Sequence, residues 1–151
     1  MTQTTAETTL QIRRTFKAPR ELVYQAWTDP AYLAKWYCQS AARHSCDSLT
    51  VDLRVGGKLR ADLRNNDTNE GYAEIGEYRE IIPNEKLVFT FRWEDAEMDC
   101  GETLMVVEFF ERSGHTEVVL THSGFPAAEV CDRHRQGWEG CLDKLAAALA
   151  G

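Results

Sequence analysis

The sequence predicts an α+β fold in which a curved antiparallel sheet of about seven strands wraps around one long C-terminal helix. Three observations predict it. The residues from Ala127 to Ala150 repeat apolar positions at the spacing of one helix face. Most segments before them alternate apolar and polar residues, as strands do. No segment between two strands is long enough for a crossover helix, so neighbouring strands are predicted to run antiparallel.

The chain is predicted to begin with one strand and two short helices. The strand covers Thr9–Phe16, where apolar and polar residues alternate. The first helix is predicted over 19–28, because proline is favoured in the first turn of a helix. Asp29 can cap the second helix and Pro30 can occupy its first position. This second helix is predicted to end near Cys38.

Six further strands are predicted before the long helix. Their predicted bounds are Leu49–Val55, Lys58–Arg64, Tyr72–Ile82, Leu87–Trp93, Thr103–Arg112 and Thr116–Ser123. Gly56–Gly57 and Ser113–Gly114 are predicted to form tight turns. Gly76 is predicted to mark a bulge or a bend inside the longest strand. The acidic segment Glu94–Glu102 is predicted to be a solvated loop.

The long helix carries an apolar stripe and two interior glycines. The predicted stripe consists of Val130, His134, Trp138, Cys141, Leu145 and Leu149. At about 1.5 Å per residue, the helix is about 36 Å long, enough to cross a small domain. Gly137 and Gly140 each cost about 1 kcal/mol relative to alanine. They are predicted to let the helix approach the sheet closely, or to leave space beside Trp138 for a bound molecule.

Composition and charge exclude several classes of function. The chain has 151 residues and a formal net charge of -7, and its length predicts a single domain over 1–151. An acidic protein lacks the electrostatic footprint of a nucleic-acid binder and is repelled by anionic membranes. No apolar run approaches the roughly 20 residues that span a bilayer. A polar N-terminus without a leader, together with five cysteines, predicts reduced thiols and a cytoplasmic protein.

A search for catalytic and metal-binding motifs finds no strong signal. The sequence contains no Gly-x-Gly-x-x-Gly, phosphate loop or Gly-x-Ser-x-Gly elbow. His122 and Ser123 are adjacent on a strand and point to opposite faces, so they cannot form a nucleophile–base pair. Cys131 and His134 have a spacing that suits two metal ligands, and 38–46 holds another His/Cys group, but neither has the paired Cys-x-x-Cys spacing of a zinc site. We therefore predict neither a metal nor a cofactor.

Aromatic residues on two elements are predicted to line an apolar pocket with few polar groups, the usual form of a small-molecule site. Phe91 and Trp93 share one strand face, with Trp93 nearest the cavity mouth, and Trp138 faces the sheet from the helix. His122 is predicted either to be tied within the core or to line the pocket. The predicted ligand-binding residues are Trp36, Phe91, Trp93, His122, Trp138 and Cys141.

Several short strings, in order along nearly the whole chain, resemble one known family. They are Arg14–Pro19, Ala26–Pro30, Lys35–Tyr37, Arg54–Gly57, Ile81–Leu87, Thr121–Phe125 and Gly137–Leu142. By these strings the chain is similar to the START-related SRPBCC superfamily, in the branch named after the C-terminal domain of activators of the heat-shock protein 90 ATPase. The resemblance implies a helix-grip fold, a curved antiparallel sheet around the long C-terminal helix, usually with a hydrophobic cavity between them.

Three functions follow from the residues and the resemblance. Members of the wider superfamily bind lipids, hormones or polyketides, and some cyclise or hydrolyse them. We expect a small, largely apolar molecule to bind between the sheet and the C-terminal helix, without catalysis. The first alternative is a protein-interaction module, similar to a co-chaperone, with a homodimer or another protein as partner. The second is a cyclase- or hydrolase-type enzyme that uses His122 as general acid or base.

Overall fold

Seven strands form one antiparallel sheet around a long C-terminal helix, in a computed structural model that describes residues 8–39 and 43–150. The elements are β1 Thr9–Phe16, α1 Arg20–Thr28, α2 Pro30–Leu33, β2 His44–Val51, β3 Lys58–Asn65, β4 Glu70–Ile82, β5 Lys86–Trp93, β6 Thr103–Arg112, β7 His115–Ser123 and α3 Ala128–Ala150. The strand order is β1-β7-β6-β5-β4-β3-β2. The predicted α+β class and antiparallel pairing are confirmed. Most of the polar N-terminal segment, from which the absence of a leader was inferred, lies outside the described residues.

The two short helices begin at the predicted signals. Asp29 caps α2 by accepting a hydrogen bond from the Ala31 N–H at 3.0 Å, and Pro30 occupies the first turn, where its missing N–H leaves no partner unsatisfied. The helix itself ends at Leu33, and turns continue the chain to Cys38. These turns place the residues after α2 under the sheet.

Strand β2 ends earlier than the sequence pattern predicts. The alternation suggested a strand over Leu49–Val55, but β2 ends at Val51, and the side chain of Val55 is 62% exposed. The chain beyond β2 turns towards another strand, because the Gly56 N–H donates to the Tyr78 carbonyl at 2.8 Å. The predicted end of the strand at Val55 was wrong because alternation shows which face each side chain occupies but not which strand the backbone pairs with.

Gly76 lies where β4 passes very close to β5. A Cβ on Gly76 would collide with the carbonyl oxygen of Thr90, so glycine is required for this approach. The Glu77 N–H donates to the Thr90 hydroxyl at 2.9 Å. A register shift follows between Tyr78 and Glu80. The irregularity in this strand therefore lies just beyond Tyr78 rather than at Gly76 itself, and such irregularities bend a sheet.

Helix α3 packs one face into the concave side of the sheet. Its buried residues are Cys131, Trp138, Cys141, Leu142 and Leu145. The centre of the predicted stripe is therefore buried, whereas Val130, His134 and Leu149 are only partly buried. The contact is wider than one line of residues because a core-facing helix buries a stripe of 100° or more. In 8–39 and 43–150, no helix is long and apolar enough to cross a bilayer.

Candidate ligand cavity

A cavity of about 730 Å³ lies between the sheet and α3. Its aromatic walls are formed by Tyr72 of β4, Phe91 and Trp93 of β5 and Trp138 of α3. Its mouth includes the loop between β5 and β6, where residues 95–98 are exposed. The predicted acidic loop therefore borders the cavity.

Four of the six predicted ligand-binding residues line this cavity. They are Phe91, Trp93, Trp138 and Cys141. The other two lie in the core and are not among the lining residues. Trp36 is fully buried, and its indole N–H donates to the Ala26 carbonyl at 3.0 Å. This hydrogen bond satisfies the polar atom of Trp36 inside the protein. It also links the segment after α2 to α1.

His122 is the second residue that the structure places behind the cavity wall. The Trp138 indole N–H donates to His122 Nδ1 at 3.0 Å. Because an indole N–H can only donate, the imidazole proton lies on Nε2, which donates to the Thr103 hydroxyl at 2.7 Å. That hydroxyl donates to the Phe91 carbonyl at 2.7 Å. Burial lowers the pKa of His122 well below its ordinary value, and nearby His134 lowers it further.

This buried network supports the structural interpretation of His122. Both ring nitrogens are occupied, the side chain is fully buried, and the imidazole is neutral. A general base needs a nitrogen within reach of the substrate, and His122 has none to spare. The network instead fixes Trp138 and the β5 backbone, and both carry the aromatic walls.

A second histidine holds the other wall tryptophan. The Trp93 indole N–H donates to His134 Nε2 at 2.9 Å, and His134 Nδ1 donates to the Val130 carbonyl at 2.9 Å. Burial lowers the pKa of His134, partly offset by its hydrogen bond to the Val130 carbonyl. The two indole N–H groups are thus both bound inside the protein, so each tryptophan presents apolar ring surface to the cavity.

Three thiols line the cavity, those of Cys38, Cys100 and Cys141. Burial raises the pKa of Cys141 to about 12. Burial also raises the pKa of Cys38 well above its ordinary value. Since the thiolate is the reactive form, both behave here as small apolar side chains. Beside them, the Tyr72 hydroxyl contacts His44 Nδ1 at 2.9 Å.

Glu74 is the feature that sequence reasoning missed. Its side chain is fully buried. Oε1 accepts a hydrogen bond from the Tyr37 hydroxyl and lies 4.0 Å from Cys38 Sγ, whereas Oε2 has no partner in the described part of the chain. Burial raises the pKa of Glu74 to about 8, although the Tyr37 hydrogen bond acts in the opposite direction. Strand alternation with Tyr72 and Tyr78 was the available signal.

The arrangement of polar groups suits binding better than acid–base chemistry. His122 and His134 each use both ring nitrogens in hydrogen bonds to the protein, and His44, which also lines the cavity, contacts the Tyr72 hydroxyl through Nδ1. Within the described ranges, no group of three or more His, Cys, Asp or Glu side chains is placed to hold a metal ion. What the cavity offers is aromatic surface, three thiols whose pKa values are raised and several charged side chains.

Comparison with protein-family models identifies the family to which this chain belongs. The family model described as activator of Hsp90 ATPase homolog 1-like protein matches residues 17–150. The chain belongs to this family. The predicted resemblance is confirmed, and the fold is consistent with a ligand-binding domain.

Solved structures of similar proteins share the helix-grip fold. A Chromobacterium violaceum protein is 29% identical, with 95% of this chain and 98% of that chain covered and a TM-score of 0.85. A Rhizobium leguminosarum protein is 27% identical, with coverages of 94% and 93% and a TM-score of 0.79. An AHSA1-like protein from Aeromonas hydrophila, 22% identical with coverages of 93% and 92%, has a TM-score of 0.75 and supports the fold alone. The comparison with curated proteins yields no match.

Proposed function

We propose that this protein binds a small, largely apolar molecule in the cavity between its sheet and α3, without catalysis. The observation that carries the proposal is the cavity itself. Its volume of about 730 Å³ lies within the range of about 300–1,000 Å³ that small-molecule sites occupy. Each 100 Å² of apolar ligand surface removed from water in it contributes about 2.5 kcal/mol before the costs of association.

The orientation of the walls supports the proposal. Trp93 and Trp138 are each held by a hydrogen bond to a histidine, and Phe91 packs edge-on against Trp93 with ring centroids 5.2 Å apart. Side chains fixed before binding lose little conformational freedom when a ligand enters. The cavity is therefore pre-organised for an apolar guest.

The test uses Nile red, a neutral dye whose emission rises and shifts to the blue in apolar surroundings. We expect saturable uptake by the folded protein. Gly137 lines the cavity, so Gly137→Leu is expected to weaken dye binding at least about tenfold by filling the space. Gly137→Ala is the matched control, because it changes the helix in the same way with one methyl group.

Two outcomes contradict the proposal. One is the absence of dye uptake by the native protein, and the other is equal uptake by the Gly137→Leu variant when circular dichroism shows that it is folded. Gly140, the other interior glycine of α3, is not among the lining residues. Gly137 is the glycine to change.

A protein-interaction function is the alternative that one surface feature favours. On the outer surface, Ile82 is 39% exposed and Phe110 is 44% exposed, and both border a groove of about 370 Å³. Apolar side chains exposed in a groove are the feature that favours an interaction site here. Sedimentation velocity of the native protein and of Phe110→Ser tests this alternative, because self-association through this groove would be lost in the variant.

A further inference from the structure

The charged side chains around the cavity are mostly acidic. Glu70, Asp95 and Glu97 border it, and none of the three has an ion pair within residues 8–39 and 43–150. Arg133 is the one arginine or lysine among the described lining residues. A cavity mouth with this balance attracts cations and repels anions.

Behind the inner wall, Glu74 places a further carboxyl group close to the cavity. It is fully buried, and its Oε1 lies 4.0 Å from Sγ of Cys38, which lines the cavity. Cys38 therefore lies both beside Glu74 and in the cavity lining, whereas Glu74 itself is not among the lining residues. The titratable groups that face it are Tyr37 and Cys38 from the segment after α2 and Tyr78 from β4, none of them cationic.

The unpartnered oxygen of Glu74 calls for an explanation. Buried carboxyl oxygens normally have hydrogen-bond partners, yet Oε2 has none among the described residues. A positive charge held in the cavity would stabilise the ionised form of this carboxyl through a medium of low dielectric. Glu74 would then act on the ligand through space rather than by direct contact.

The walls have the chemistry that recognises a cation. Aromatic faces attract ammonium groups through their quadrupoles. Tyr72 and Trp93 lie with ring centroids 5.8 Å apart, and Phe91 and Trp138 lie at the same separation. We propose that the ligand of this cavity is an apolar molecule carrying a positive charge, an arylalkyl- or alkylammonium, which the acidic mouth attracts and the aromatic walls hold in front of Glu74. This inference rests on the proposed function and names its ligand class.

Binding of such a cation is expected to release a proton. Burial raises the pKa of Glu74 to about 8, so in the free protein this carboxyl is mostly protonated at pH 7. A cation in front of it favours the carboxylate, so the carboxyl proton passes to the buffer on binding. A quaternary ammonium cannot lose a proton itself, so any proton released comes from the protein.

The test compares three naphthyl compounds that differ in charge. They are (2-naphthylmethyl)trimethylammonium, 2-naphthalenemethanol and 2-naphthylacetate, each titrated by calorimetry at pH 7 and low salt. We expect the cation to bind about tenfold more tightly than the alcohol and the anion to bind weakest. The preference should shrink in 0.5 M sodium chloride. Titration of the cation in phosphate and in Tris buffers, which differ in ionisation enthalpy, measures the protons released.

Three variants locate the effect. Glu97→Gln at the mouth is expected to weaken binding of the cation about threefold, with no change for the alcohol. Glu85→Gln is the matched control, because Glu85 is equally exposed but precedes β5 at the end opposite Trp93. Glu74→Gln is expected to abolish proton release and to keep binding the alcohol, which also shows that the cavity is intact.

The outcomes separate this inference from the proposed function. If Nile red binds but the three naphthyl compounds bind equally, or the cation fails to bind, the inference is overturned and the apolar cavity stands. Tightest binding of 2-naphthylacetate, lost in Arg133→Gln, overturns it in favour of an anionic ligand. Proton release that persists in Glu74→Gln removes Glu74 from the inference. Failure of Nile red to bind contradicts the proposed function itself.

Discussion

Replacing Glu74 with glutamine is expected to change how stability depends on pH. The folded state raises the pKa of this carboxyl from 4.5 to about 8 through burial. Its contribution to stability is therefore fully present below pH 4.5 and is lost as the pH rises to 8, because the unfolded chain can ionise while the buried carboxyl holds its proton. Glutamine does not ionise, so the variant lacks this loss.

The size of the effect follows from the two pKa values. At pH 7 the unfolded carboxyl has titrated through about 2.5 pH units, which corresponds to about 3 kcal/mol, and above pH 8 the effect levels off near 5 kcal/mol. The glutamine carbonyl can still accept the Tyr37 hydrogen bond. Its buried NH₂ group is expected to cost about 1–3 kcal/mol, but this cost is the same at every pH. The pH dependence therefore isolates the ionisation of Glu74.

The assay is urea unfolding of the native protein and of Glu74→Gln at pH 5, 6, 7 and 8. The difference in unfolding free energy should move in favour of the variant by about 3–4 kcal/mol between pH 5 and pH 8. His44, His122 and His134 have lowered pKa values and reduce stability as the pH falls below about 6.5, but they do so in both proteins. Parallel pH profiles for the two proteins would refute the reasoning, and Glu85→Gln supplies the exposed control.

Three further predictions concern the core and the thiols. Leu145→Ala should lower the free energy of unfolding by about 2–5 kcal/mol because it opens a cavity under α3, whereas exposed Glu139→Ala should change it by less than about 0.5 kcal/mol; equal losses in urea melts would mean that α3 buries another face. Trp138→Phe should lower the free energy of unfolding by about 1–3 kcal/mol because it leaves His122 Nδ1 without a hydrogen-bond donor. An unchanged melting curve would show that this hydrogen bond does not contribute to stability. None of the five cysteines is in a disulfide, so five thiols should react with Ellman's reagent in denaturant; a count of three in anaerobically purified protein would contradict this.

Most elements could be predicted because their side-chain periods are strong. The alternation in Leu87–Trp93 and the stripe around Trp138 led to β5 and to the buried face of α3. The bounds of β2 could not be predicted in this way, because the alternation continues through Val55 into a segment whose backbone bonds to Tyr78. The backbone partners of a segment depend on the arrangement of the whole sheet, so the local alternation of side chains does not reveal them.

The cavity-lining residues could be predicted where they follow from the face of a single strand or helix. Phe91, Trp93 and Trp138 followed from strand alternation and helix period. The histidine–tryptophan hydrogen bonds join residues 16 and 41 positions apart, so they depend on how α3 lies across the sheet. The same placement decides that Gly137 lines the cavity while Gly140, one turn further along α3, does not.

The indole hydrogen bonds make the cavity readable by nuclear magnetic resonance without any mutation. Trp93 and Trp138 donate to imidazole nitrogens, Trp36 donates to a carbonyl oxygen, and the buried Trp27 indole N–H has no partner among the described residues. Four such environments should give four separate indole signals in a nitrogen–proton spectrum. A guest between the sheet and α3 would shift the two imidazole-bound signals most and the Trp36 signal least, so one titration would report both that a molecule binds and where it lies.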